Sequence, residues 1–546
     1  MDTPGNGECV ASRYPPDCGG WTVALSLASQ VVRLHTHLTS FRHDHYDPSL
    51  MKRVASGFLP MIAVDRRVSQ PLHRQIYDAF RAAIVDGRLR AGQRVPSTRV
   101  LAREIGVSRF PVLNAYAQLL AEGYLESRLG AGTVISGSLP EQMTTSGPAG
   151  TKTPATQRGP RGVARRCSYL PDEEDLPWKI HLGPFRVGQV AVDQFPAHIW
   201  STLVARRCRG LSAESVHYGD VLGHKSLRRA IANYLKTSRS VRCEAGQILI
   251  VNGSQQALEI ATRVLLDSGA RAWMEEPCYR LARDVFALNG CHLVPVPVDA
   301  EGLDVAAGIR KCRSARVAFV TPSHQFPLGV TMSAARRLQL IEWAQTSGAW
   351  IIEDDYDSEY RYESLPIASL QGLDSNSRVI YIGTFSKVLF PSLRLGYIVV
   401  PPDLLERFVI MRRVMDLGPP TLYQEVLADF IEEGHFARHI RRMRVHYGAL
   451  RRVLFDNLTR ILGDNIEVVG DEAGMHLTVL LRKGHHDEDV ARRGVAHRLS
   501  LWPLSRMYMG EPRHGLILGF GGTTVQEIPD AVRRVRQSLA ARSIAA

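Results

Sequence analysis

Apolar residues return every fourth position in PLHRQIYDAFRAAIVDGRL, residues 71–89: Leu72, Ile76, Phe80 and Ile84 share one face. That spacing predicts an amphipathic helix with Pro71 in its first turn and Gly87 at its end. The turn RAGQRVP leads to a second predicted helix from Ser97 to about Ile105, stopped by Gly106. Ser108 is expected to cap a third helix by accepting an orphan N–H, with Pro111 tolerated in the first turn. Val112, Tyr116, Leu119 and Leu120 are expected to carry its apolar face, and Gly123 to end it. YLESRLGAGTVIS then reads as two short strands about a flexible turn. Two helices joined by the tight IGVS turn, followed by such a wing, predict a winged helix-turn-helix over 61–135.

Further along, the period changes. The runs QILIVNG, ARAWMEEP, ARVAFVTP, GAWIIEDD and SRVIYIGT alternate with helical patterns from about residue 179 to the end. Continuous apolar strands between helices predict a largely parallel, buried sheet. Residues 136–178 are rich in Gly, Pro, Ser and Thr and read as a flexible linker. Residues 1–60 keep no period and are expected to form a disordered extension.

Composition narrows the setting. The 546 residues exceed one ordinary domain, and 45% are apolar. The net charge of +13 favours an anionic partner without locating it. Residues 71–135 hold nine arginines, no lysine and five acids, which concentrates positive charge on the small domain. None of the eight cysteines forms a CxxC pair or a zinc spacing, so neither a disulfide framework nor a metal site is expected. WTVALSLASQVV, residues 21–32, is too short to span a bilayer. A cytoplasmic protein without membrane contact is therefore expected.

The candidate chemistry clusters at predicted strand ends, where open α/β sheets place ligands. Lys387 follows VIYIGTFS, a setting in which burial makes a lysine amine nucleophilic. In WIIEDDYD, alternation lets only one of Asp354 and Asp355 face a site, where a carboxylate can hold a pyridinium proton. Carboxylate ligands for a cation are the bland alternative for that segment. The helix expected to start at Ser254 or Gln255 offers free N–H groups to a phosphate. Tyr279 suits ring stacking, and His324 and Gln325 suit contact with ring substituents. Ser386 and Arg394 add a hydroxyl and a positive charge for phosphate. His476 in GMHL reads equally well as a site residue or a structural one. On the small domain, Arg99, Ser108, Arg109, Arg128 and Gly130 are the candidate DNA contacts.

The stretch from PLHRQIYDAF to RLGAGT resembles the winged helix-turn-helix of the GntR regulators. That family implies a dimer on double-stranded DNA with paired half-sites. The order and spacing of GSQQAL, EEPCY, TPSHQFPLG, EDDYDSEYRY and TFSKVLFPSLRLGY resemble the fold-type I pyridoxal 5'-phosphate (PLP) enzymes of the aspartate aminotransferase group. This resemblance implies an α/β transferase fold over 179–546, with a mainly parallel sheet and a smaller C-terminal α/β subdomain. It makes Lys387 the Schiff-base lysine, Asp354 the partner of the ring nitrogen and Tyr356 the partner of the ring hydroxyl. Tyr279 becomes the stacking residue, and Ser254, Gln255, Ser386 and Arg394 become the phosphate ligands.

A winged domain joined by a long linker to such a fold resembles the MocR-type regulators, most closely those that control pyridoxine biosynthesis. The resemblance implies a homodimeric sensor of pyridoxal phosphate, with a small amine as a further effector. Regulation of amine, taurine, γ-aminobutyrate or rhizopine use is the alternative, and an aminotransferase carrying a DNA-binding domain is another. Where aminotransferases keep a carboxylate-binding arginine, this chain offers Leu516 or Leu518 in HGLILGFGG. A sensor is therefore expected in preference to an enzyme.

Overall fold

The computed structural model describes residues 62, 64–128, 132–137, 162, 164, 166–167, 183–211, 216–362, 367–482 and 484–540. The expected N-terminal extension, most of the expected linker and Gly130 lie outside the described residues. The chain divides into two compact units, Met1–Gly159 and Pro160–Ala546.

In the first unit, helices α1 (Leu72–Val85), α2 (Thr98–Glu104) and α3 (Arg109–Ala121) precede strands β1 (Leu125–Arg128) and β2 (Gly132–Ile135). The strands pair antiparallel, with Leu125 opposite Ile135. Ile76, Phe80 and Ile84 of α1 meet Val112, Ala115, Tyr116 and Leu119 of α3 in one core, while Leu72, expected on the same face, is only half-buried at its margin. Phe80 and Tyr116 pack edge to face, 5.4 Å between centroids. Gly106 turns α2 toward α3 with φ +69°, a conformation that side chains resist.

Two expectations change here. The hydroxyl of Ser108 makes no cap bond, although its backbone is extended as a cap requires. The reason is Pro111: it sits third in the helix, where a cap hydroxyl normally receives an N–H, and proline has none. Ser97 caps α2 instead, its Oγ accepting the Val100 N–H at 3.3 Å. Leu120 is 36% exposed and does not belong to the buried face of α3.

The second unit is built on one eight-stranded sheet and one four-stranded sheet. The larger contains β3 (Ile248–Val251), β4 (Arg271–Glu276), β5 (His292–Asp299), β6 (Gly302–Leu303), β7 (Val317–Val320), β8 (Trp350–Asp355), β9 (Val379–Thr384) and β10 (Gly396–Val399). Their order is β3-β10-β9-β8-β7-β4-β5-β6. Strands β5, β4, β7, β8 and β9 pair parallel, while β10 runs antiparallel to both β9 and β3. Helices cover both faces. Ile380 and Ile382 of β9 pack with Leu258 and Phe286, while Tyr381 enters a different core with Leu227 and Ile231. This two-sided burial explains the continuous apolar runs.

The smaller sheet holds β11 (Ile466–Val469), β12 (His476–Leu481), β13 (Trp502–Pro503) and β14 (Gly515–Gly519), in the order β11-β12-β14-β13 and antiparallel throughout. Met443, Leu450 and Leu454 of the helix His435–Leu462 and Val532 and Val535 of the helix Ile528–Ala540 close its core. No helix among the described residues is long and apolar enough to cross a membrane.

Candidate cofactor site and DNA-binding unit

Strand ends deliver the candidate residues of the large unit to one edge of the sheet. Tyr279 follows β4, His324 follows β7, Asp354 and Asp355 end β8, and Lys387 follows β9. The helix Ser254–Leu265 starts three residues after β3.

Asp354 and Asp355 separate as strand alternation requires. The Asp355 carboxylate accepts from Arg239 Nε at 2.8 Å and from the Tyr381 hydroxyl. Asp354 has a buried Oδ1 with no partner among the described residues. Burial first, then repulsion from Asp355 and Asp357, raises its pKa to about 7, with Lys387 opposing. Lys387 lies within this field. Desolvation lowers its pKa, while Asp357 and Asp354 pull the other way. Its Nζ donates to the Gly188 carbonyl at 3.4 Å. Burial thus moves this amine toward the deprotonated, nucleophilic form.

His324 is a hub. Its Nδ1 lies 3.0 Å from an Asp357 oxygen and 3.0 Å from the Tyr356 hydroxyl. Its Nε2 is buried without a partner among the described residues. His476 stacks obliquely on it at 4.8 Å and holds the Pro327 carbonyl through Nε2 at 3.0 Å. Burial first, then His324, lowers the His476 pKa to about 3, so this ring is neutral. His324, Asp357 and His476 are also the one metal-capable group among the described residues. Gln325 takes another role than the one expected. Its amide donates to Pro277, Phe326 and Glu275 and accepts from Leu328 N–H, which spends it on the turn.

Tyr279 packs edge-on to Phe326 at 5.6 Å and feels both Asp354 and Arg394. At the far end, Gly253 takes φ +83° before the free N–H groups of Ser254 and Gln255. A Cβ on Gly253 would stand 3.0 Å from the Arg394 guanidinium, and one on Gly188 would stand 2.6 Å from Lys387 Nζ. Arg394 donates to the Asn252 carbonyl at 2.8 Å, and Gln255 has a buried, unpartnered Oε1. Ser386 Oγ accepts from Thr384 Oγ1 at 3.0 Å. Sequence reasoning missed the Gly188 carbonyl, Asp357 and the Arg239 support of Asp355. Asp357 lies within EDDYDSEYRY but its partnership with His324 is not marked there, and no motif marks Gly188 or Arg239.

The strand face at β14 also differs from expectation. Leu516 and Leu518 enter the C-terminal core, while Ile517 stands opposite Thr478 and packs with Phe326 and Leu504. Of the three, Ile517 is the side chain on the Phe326 side of the strand. Arg506 is engaged with Glu488 at 3.2 Å.

In the small unit, Arg109 donates from Nε to Thr98 Oγ1 at 3.1 Å, tying α3 to α2. Arg99 is exposed on α2. Arg128 ends β1 opposite Gly132.

Residues 72–135 match the model of the bacterial regulatory proteins of the gntR family, and residues 189–501 match that of aminotransferase class I and II. Over 484 residues the chain is 40% identical to a probable rhizopine catabolism regulatory protein MocR of Rhizobium meliloti, covering 88% of this chain and 96% of that protein. The chain is a MocR-type regulator of the GntR family. This regulator is also 28% identical to the pyridoxine biosynthesis transcriptional regulator PdxR of Corynebacterium glutamicum, over 86% of the chain and 98% of the relative. Its large unit is similar to the kynurenine aminotransferase of Pyrococcus horikoshii solved with PMP and kynurenine, with a TM-score of 0.65 at 25% identity. That match covers 70% of this chain and 98% of the other. The regulator thus joins a DNA-binding unit to a pyridoxal phosphate fold. Its residues fit that cofactor: an orphan carboxylate oxygen for a ring nitrogen, a buried lysine for an aldehyde, and a glycine-opened helix start beside Arg394 for a phosphate.

Proposed function

We propose that this regulator senses a primary amine through pyridoxal phosphate and controls genes for the use of that amine. The 40% identity to a regulator named for rhizopine catabolism carries this reading, against 28% to the pyridoxine regulator. The sequence alone points to the reverse order, because the missing carboxylate clamp favours pyridoxal phosphate alone; the cofactor motifs are common to both kinds of relative and cannot rank them.

Bound pyridoxal phosphate supplies an aldehyde and an electron-poor ring. Lys387 presents its amine, which burial keeps deprotonated more readily than in water. Asp354 would offer its Oδ1 to the ring nitrogen, and His324 and Tyr356 would serve the ring hydroxyl. Tyr279 would shield the ring from water, and the helix start with Arg394 would hold the phosphate. Ser254, Gln255 and Ser386 would complete that cradle.

A sensor is favoured over a transaminase. Turnover of amino acids needs a cation to clamp the substrate carboxylate, and the apolar Ile517 occupies the strand face beside Phe326. A homodimer is supported by exposed apolar side chains: Tyr218 at 85%, Val414 at 78% and Leu417 at 51%. A Cβ built on Gly418 would stand 3.4 Å from Val221 Cα and one on Gly219 2.6 Å from Thr421 Cγ2, so the segments that carry Tyr218 and Leu417 run close together. A dimer with two winged units suits an operator with paired half-sites. An amine shifts DNA affinity only through its different affinity for the two states of the protein.

The test titrates the full chain onto the DNA upstream of its gene with pyridoxal phosphate alone, amines alone, and both. The reading expects a change of about fivefold or more only with both. A full response to pyridoxal phosphate alone returns the pyridoxine reading. Steady conversion of amine and keto acid makes the unit an enzyme.

A further inference from the structure

The third helix of the small unit is apolar on two sides. One side, Val112, Ala115, Tyr116 and Leu119, is buried. The other is not: Phe110 is 71% exposed, Leu113 44% and Leu120 36%, and Ala117 is exposed between them. These four positions fall on one arc of the helix roughly 80° wide. A helix that is apolar all round is ordinarily covered on all sides. Within the described small unit nothing covers this stripe.

Charge identifies the occupant. Arg109 adjoins Phe110 in the chain, and Arg99 and Arg103 lie exposed on α2, which packs on the same helix. An apolar stripe among guanidinium groups suits a surface with anions at its rim and methyl groups on its floor. The major groove of DNA is such a surface: phosphates line it, and each thymine places a C5 methyl on its floor. Two of the three polar side chains on the solvent side of α3 are already engaged, which leaves Asn114 beside the apolar stripe. Gln118 donates to Glu122 Oε1 at 2.9 Å, and Arg109 is held by Thr98.

We propose that Phe110, Leu113 and Ala117 read thymine methyl groups by apolar contact, and that this stripe determines which operator the regulator prefers. The rise from position 110 to 117 is about 10 Å, or about three base-pair steps. Each half-site then carries thymines, on either strand, within about three consecutive steps. Leu120, a turn further on, lies at the groove edge. The proposal rests on the DNA-binding family of the small unit and adds the chemistry of its readout.

The experiment uses the full chain and a duplex enriched by it from a random pool. Thymines of the half-site are replaced one at a time by deoxyuridine, which removes only the methyl. The expected result is a loss of about fourfold for each contacted methyl, the value of one buried methyl-sized group. Binding to unrelated DNA, and its salt dependence, stay as they were. In Phe110→Ala and Leu113→Ala the thymine and uracil duplexes are bound alike. Both side chains are exposed, so these variants should melt like the parent, which a thermal scan confirms. Equal affinity of the parent protein for thymine and uracil duplexes overturns the proposal. So does a change in oligomeric state, in place of DNA affinity, for Phe110→Ala.

Discussion

Asp354 and Asp355 are neighbours on β8, yet they end in opposite environments. Asp355 is paired with Arg239 at 2.8 Å, both side chains at most 5% exposed. Asp354 keeps an unpartnered oxygen on the side of Lys387. One carboxylate supports the sheet, and the other is the one proposed to hold the cofactor ring.

This split predicts opposite mutant behaviour. Asp355→Asn leaves the Arg239 charge buried without its counter-ion and should cost about 3–5 kcal/mol in urea unfolding. Asp354→Asn should leave apoprotein stability nearly unchanged near pH 4, where the parent carboxyl is protonated, and weaken pyridoxal phosphate binding by about tenfold or more. Absorbance titration of each variant, beside its unfolding curve, separates the two roles.

The raised pKa of Asp354 gives a pH dependence of definite sign. Unfolded, this group loses its proton near pH 4; folded, it keeps it to about pH 7. The folded state therefore binds more protons in that window, and its stability falls as pH rises from 4 to 7. Asp354→Asn lacks this contribution. Relative to the parent apoprotein, the variant should gain a few kcal/mol between pH 4 and 7. Glu353 adds a slope of the same sign and His476 an opposite one, both shared by parent and variant. Glu275, whose pKa the Asp354 charge helps to raise, shifts with it, so the difference between the two unfolding series reports Asp354 together with its coupling to Glu275.

Gly253 is predicted to be irreplaceable for the phosphate but not for the ring. Alanine there would be strained at φ +83° and would press on the Arg394 guanidinium. Pyridoxal phosphate should bind Gly253→Ala about tenfold more weakly. Pyridoxal, which lacks the phosphate, should bind parent and variant alike in equilibrium dialysis.

Arg99 is expected to act through the DNA backbone. Arg99→Ala should weaken binding to all duplexes similarly and reduce the slope of log K against log salt by about 1. Fluorescence anisotropy at several salt concentrations measures both.

Much of this architecture was legible because it follows from local pattern. The stripe Leu72, Ile76, Phe80 and Ile84 defines α1, and apolar runs mark strands buried on both faces. Alternation along β8 showed that only one of the two aspartates faces the site. What escaped depended on the third dimension. The silence of the Ser108 hydroxyl follows from Pro111, whose missing N–H matters only once the helix start is fixed. Leu120 lies just off the buried arc, which a four-residue count cannot resolve. Choosing Ile517 over Leu516 and Leu518 needs the register of β14 on β12. Gln325 could be separated from His324 only after the turn around Pro327 had formed. Gly188 reaches Lys387 from a segment with no signature of its own, and Asp357, though inside EDDYDSEYRY, is set beside His324 and Lys387 only by the fold.

The central claim is that Lys387 couples a small molecule to DNA binding. The direct measurement compares the full chain with Lys387→Ala for visible absorbance with pyridoxal phosphate, and for operator affinity with and without cofactor and amine. The account predicts that the variant loses the absorbance of a lysine–aldehyde linkage and still binds the operator, but no longer responds to the pair. A variant that keeps the full response, or a parent protein whose operator affinity ignores cofactor and amine together, would contradict it.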